Sequence, residues 1–118
     1  MAKKLGDCYD VAGRMVMDGN EQFVLCHGLV TGQRELSGQI IGHAWCEIGD
    51  IVLDFANGKH TVMRKERYYE IGKIEKVRRY TQKQACEMMM LHKTFGPWDK
   101  EVETDWQRER KKKANKVG

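Results

Sequence analysis

Two strand-like runs, Gln39 to Ile48 and Ile51 to Phe55, are parted only by Gly49-Asp50, and this spacing leaves the middle of the chain little choice of fold. Glycine at the first central position suits a type II′ two-residue turn, whose twist matches the flanking strands. Such a turn pairs Ile48 with Ile51, so Trp45 falls opposite Asp54 and His43 opposite Ala56. Side chains alternate along strands. His43, Trp45, Asp54 and Ala56 therefore share one face, while Ala44, Cys46, Ile48, Ile51, Leu53 and Phe55 share the other. The second face is uniformly apolar and is expected to be core. On the first, His43 and Asp54 are diagonal neighbours with Cβ atoms about 7 Å apart, near enough for a carboxylate to accept from an imidazole N–H. A carboxylate so placed holds the ring in one tautomer and one orientation, as acid–base work by a histidine requires.

A nucleophile stands upstream. Residues 7 to about 19 read as a helix, with Asp7 as N-cap, Asp10 three positions on, and Cys8, Val11, Ala12, Met15 and Val16 on one stripe. A thiol in the first turn meets the positive end of the helix dipole, which favours thiolate, and a nearby imidazolium favours it further. Gly6 allows the chain to enter this helix sharply, and the Cys8 backbone N–H is placed to stabilise an oxyanion. Asp7 and Asp10 oppose a thiolate unless they face away.

Gly6-Asp7-Cys8-Tyr9 opening a helix, Gly42-His43-Ala44-Trp45-Cys46-Glu47 on a strand and Val52-Leu53-Asp54 on the next resemble transglutaminase-like proteins, within the wider papain-like cysteine peptidase superfamily. The resemblance covers about residues 6 to 57, and its specific parts are the HAW-x-E stretch and the aspartate eleven residues beyond His43. It implies an α+β fold with a minimal papain-like or transglutaminase-like core, in which an N-terminal nucleophile helix packs on a small antiparallel sheet. It also implies roles: Cys8 the nucleophile, His43 the general base and acid, Asp54 the orienting carboxylate. The chemistry implied is thioester formation on a peptide or protein amide, ending in hydrolysis, deamidation or transfer to an amine, with no cofactor. Cys8 and His43 lie only 35 residues apart, so few substrate-binding insertions separate them. Papain-like enzymes place an oxyanion glutamine just upstream of the nucleophile, and residues 1 to 5 contain none. Gln22 and Asn57 are the candidate substitutes, and Trp45 is expected to pack beside His43 and shield the site, with a substrate contact as its alternative role.

The rest of the chain frames this core. Gln22 to His27 reads as a strand, Gly28 to Gly38 as a loop, Asn57-Gly58-Lys59 as a turn, and Arg64 to Glu70 as a short helix. Lys73 to Tyr80 reads as a further strand, and Thr81 caps a helix reaching about Lys93. Gly96-Pro97-Trp98 closes the compact part. The expected division is therefore a catalytic domain over 1–98 and a charged, flexible tail over 99–118. From Arg108 to Lys116 that tail carries six basic residues and one acid. Such a block is a solvated face first and a weak, salt-sensitive nucleic-acid contact second.

Other chemistries fit less well. Zinc through Cys26, His27, His43 and Cys46 would need convergent ligands, but adjacent residues and residues three apart on a strand point to opposite faces. No metal is therefore expected. The four cysteines, 8, 26, 46 and 86, form no CxxC pair. With no apolar leader at the N-terminus they are expected to be reduced thiols in a cytoplasmic protein. Cys46 and Cys86 read as core, Cys26 as core or near it, and Glu47 as an exposed strand residue. No apolar run reaches the roughly 20 residues of a membrane helix. The expected partner is a peptide or protein substrate. A compact chain of this kind would suit a bacterial or phage accessory protein. The competing reading is a papain-like scaffold that binds without catalysis, using loop 28–38 and the basic tail on a protein or nucleic acid.

Overall fold

The central hairpin forms in the expected register. In the computed structural model, which describes residues 7–32 and 38–102, β2 (Ile40–Ile48) pairs antiparallel with β3 (Ile51–Asp54) through Cys46–Leu53, Glu47–Val52 and Ile48–Ile51. Gly49 takes a φ of 56° while Asp50 stays at negative φ, the pattern of a type II′ turn that a side chain at 49 would strain. β1 (Val24–Thr31) pairs with β2 on its other side, and β5 (Glu75–Thr81) pairs with β1. β4 (Thr61–Arg64) closes the far edge against β3, giving the order β4-β3-β2-β1-β5, every neighbour antiparallel. The fold is α+β.

Helices cover both faces. α1 (Cys8–Asp18) and α3 (Gln82–His92) lie on one side, where Cys8, Ala12, Val16 and Ala85 pack against Leu25, Ala44 and Cys46. α2 (Lys65–Gly72) covers the other, where Tyr68 and Tyr69 pack against Cys26, Trp45 and Val52. The face carrying Ala44 and Cys46 is core there as expected, though Ile51 at its turn end is exposed, and the opposite face is core as well. Glu47 is accordingly 3% exposed, not a surface residue. Its carboxylate is held by Trp45 Nε1 at 3.0 Å, by the Tyr69 hydroxyl, and by the charges of Lys65 and Arg79. Burial alone would raise the Glu47 carboxyl, and these donors and cations carry it below its ordinary value.

α1 is held at both ends by tertiary contacts. Asp7 occupies the N-cap position without a side-chain cap, so the capping-box pattern with Asp10 does not form. At the other end Gln82 Nε2 donates to the carbonyls of Val16 at 3.1 Å and Gly19 at 3.2 Å, adding a side-chain donor to a helix end where Gly19 N–H also bonds Val16. Midway, a Cβ on Gly13 would lie 2.5 Å from the Phe95 ring, so only glycine admits this contact. α3 begins as expected: the Thr81 hydroxyl accepts from Gln84 N–H at 3.1 Å while Gln84 Oε1 accepts from Thr81 N–H at 3.0 Å, a complete capping box.

Several boundaries differ from expectation. β1 continues through Gly28–Thr31, so the loop read as starting at 28 begins later, and its residues 33–37 lie outside the described part. β4 stands where only a turn and a helix were expected, because Thr61-Val62-Met63 is too short to show alternation. Packed structure also runs past Trp98: Asp99 and Glu101 pair with Arg78, and Val102 is fully buried. The basic block and Trp106 fall outside the described residues. Among the described residues, no helix is long and apolar enough to cross a membrane.

Candidate active site

β2 delivers His43 to a break in the sheet. His43 is opposite Gly28 on β1, but on its other side the β3 ladder has already stopped at Cys46–Leu53. There the chain leaves β3 after Asp54 and makes a 3₁₀ turn, Ala56–Gly58. α1 packs on the face opposite α2, yet its first residue reaches His43 around this open end. The Cys8 thiol lies near enough to the imidazole to help hold its proton.

Asp54 completes the contact. His43 Nε2 lies 2.9 Å from Asp54 Oδ2, which leaves Nδ1 as the ring nitrogen available to Cys8. The diagonal relation expected from the hairpin register thus becomes a direct hydrogen bond. Asp54 has two further donors: Ala56 N–H to Oδ1 at 3.1 Å and the Tyr68 hydroxyl to Oδ2 at 2.6 Å. Burial alone would raise this carboxyl, but the bonds and charge of His43 and the donors Tyr68 and Ala56 hold it below the ordinary aspartate range. Burial would likewise push His43 down, and the bonds and charges of Asp54 and Cys8 prevail, lifting it to about 10. The pairing therefore favours imidazolium beside the Asp54 carboxylate.

Access is narrow. Cys8 is 6% and His43 8% exposed, so the thiol and the imidazole sit just beneath the surface. The Asp7 side chain does not cap the helix, and its Oδ1 accepts from Asn57 N–H at 2.8 Å. This bond ties the 3₁₀ turn to the residue before Cys8. Asn57 sits at a φ of 56°, and its buried Oδ1 has no hydrogen-bond partner among the described residues.

The remaining sequence candidates separate. Trp45 stacks on His43, with ring centroids 6.2 Å apart and planes at 23°, and is wholly buried. It packs the imidazole and has no surface for a substrate. Gln22 is exposed in the turn between α1 and β1, at the end of the helix away from Cys8. A helix of 11 residues is about 16 Å long, so Gln22 is no oxyanion donor here. Asn57 is tied through Asp7 to the chain next to Cys8. Cys26 packs with Trp45 while Cys46 packs under α1, its Sγ donating to the Ala12 carbonyl at 3.2 Å. Burial raises both thiols, Cys46 to about 12. Cys86, read as core, is only half-buried. Among the described residues no three His, Cys, Asp or Glu side chains cluster as a metal site.

Tyr68 was not anticipated. Its place over Asp54 depends on α2 folding back across the sheet, which no local pattern in Lys65–Gly72 announces. Comparison with known families, curated proteins and solved structures finds no match to this chain.

Proposed function

We propose that this protein is a cysteine-dependent acyl-transfer enzyme acting on amides of a peptide or protein, with Cys8, His43 and Asp54 as its triad. One observation carries the reading: His43 stands between Asp54 and Cys8, with Nε2 engaged by the carboxylate. In this scheme the Cys8 thiolate attacks the amide carbonyl, forming the C–S bond and an oxyanion. The start of α1, lacking a side-chain cap, offers backbone N–H groups to that charge. His43 passes its proton to the departing amine as the C–N bond breaks, leaving a thioester on Cys8. Water, deprotonated by His43, then attacks the thioester, and the acid and the thiol are released with Cys8 restored. Hydrolysis is the default outcome because water is always present. An amine in place of water gives transamidation by the same steps.

The relation to transglutaminase-like proteins remains part of this proposal, supported by the order of the three residues and by the helix-on-antiparallel-sheet arrangement that holds them. An activated ester tests the chemistry without knowledge of the natural substrate. Mixed with p-nitrophenyl acetate, the protein should release a burst of p-nitrophenol and carry one acetyl group on Cys8 that is later hydrolysed. His43→Ala should lose the burst. Acetylation confined to Cys86, or an equal burst from His43→Ala, would contradict the reading.

A further inference from the structure

Two neighbouring tyrosines on α2 make the same kind of bond to two different carboxylates. Tyr68 donates to Asp54 Oδ2 and Tyr69 to Glu47 Oε2. Only the first carboxylate touches His43. Tyr68 shares its acceptor oxygen with His43 Nε2, and its ring packs on Trp45 at 5.5 Å, which in turn stacks on His43. The imidazole is thus gripped through its edge by Asp54 and through its face by Trp45, and Tyr68 touches both supports.

We propose that Tyr68 is a positioning residue of the Cys8–His43–Asp54 site, holding the Asp54 carboxylate ionised and aimed at His43 Nε2. This inference rests on the acyl-transfer reading and adds a fourth residue to it. The physical ground is direct. A buried carboxylate survives as an anion only if its oxygens are satisfied, and a phenol that donates to the charged form stabilises that form. Without the phenol, Asp54 takes up a proton at higher pH. A protonated Asp54 no longer favours imidazolium, and the thiolate on Cys8 loses its counter-charge. Tyr68 therefore widens, on the acid side, the pH range over which Cys8 reacts.

The adjacent tyrosine supplies the control, because Tyr69→Phe removes an equivalent phenol–carboxylate bond from the same helix without touching Asp54. Second-order rates of Cys8 alkylation by iodoacetamide, measured across pH, give the readout. Tyr68→Phe should move the acid limb of the profile up by about one pH unit, the worth of a hydrogen bond to a charged group. Tyr69→Phe should lower the thermal midpoint and leave the limb in place. A folded Tyr68→Phe with an unmoved limb overturns the inference, as does an equal shift in Tyr69→Phe. If Tyr68→Phe does not fold, uniform labelling with 3-fluorotyrosine replaces it. The more acidic phenol is a stronger donor and should move the limb down, and no movement overturns the inference. His43→Ala, run alongside, separates the two ideas: if it leaves the Cys8 rate unchanged at neutral pH, the acyl-transfer reading itself has failed.

Discussion

His43 and His27 lie on adjacent strands, both buried, and the protein treats them in opposite ways. His43 has a carboxylate at 2.9 Å and a thiol beside it, and is lifted to about 10. His27 has neither. Both of its ring nitrogens lack a hydrogen-bond partner among the described residues, and it sits among the rings of Tyr9, Tyr80 and Trp98 at centroid distances of 5.0, 5.3 and 4.9 Å. Gly96 closes over it so tightly that a Cβ there would lie 2.5 Å from the imidazole. Burial, with no opposing partner, lowers His27 to about 3. Burial is therefore not what makes a histidine useful in this fold. A charged partner holds one ring as imidazolium, and its absence leaves the other as a piece of aromatic core.

The contrast has opposite consequences for stability. His27 stays neutral in the folded state while the unfolded chain binds a proton below its ordinary value of 6.5. Its contribution is thus complete above 6.5 and lost as pH falls toward about 3. His43 runs the other way: its contribution is complete below 6.5 and lost as pH rises through about 10. Urea unfolding should show about 2 kcal/mol of stability lost between about pH 6.5 and pH 5, before carboxylates begin to titrate. His27→Phe should flatten that interval and leave the alkaline loss intact. A His27→Phe variant as acid-sensitive as the wild type would break the comparison.

A smaller effect sharpens it. Trp98 reaches His27 as part of the segment that Val102 anchors, and Val102 is fully buried. Val102→Ala should cost about 1.5 kcal/mol through two lost methyl groups, read as a lower urea midpoint at unchanged slope. No change would mean that the segment over His27 is held by its Arg78 ion pairs instead.

What could be read beforehand follows the range of the interactions. A two-residue turn permits one register, so the His43–Asp54 relation was visible in Gly49-Asp50 alone. Thr81 as the cap of α3 was equally plain, whereas the box expected of Asp7 and Asp10 does not form. Glu47 was misjudged although the same parity put it beside Trp45, because nothing local tells that α2 covers this face. Tyr68 and the His27 cage were hidden for the same reason. The cage draws on α1, β1, β5 and the segment around Trp98, four stretches that only the finished fold brings together.

The central claim is that partnership with His43 makes Cys8 the reactive thiol, and the free cysteines allow a direct test. Exposure alone predicts another winner: Cys86 is half-buried, while Cys8, Cys26 and Cys46 are all buried. Iodoacetamide adducts on the folded protein, mapped by mass spectrometry at neutral pH, should fall on Cys8 ahead of Cys86. That preference should drop by about 10²-fold in His43→Ala, stay intermediate in Asp54→Asn, and persist in His27→Phe. Labelling that favours Cys86 in the wild type, or a Cys8 rate indifferent to His43, would contradict the account.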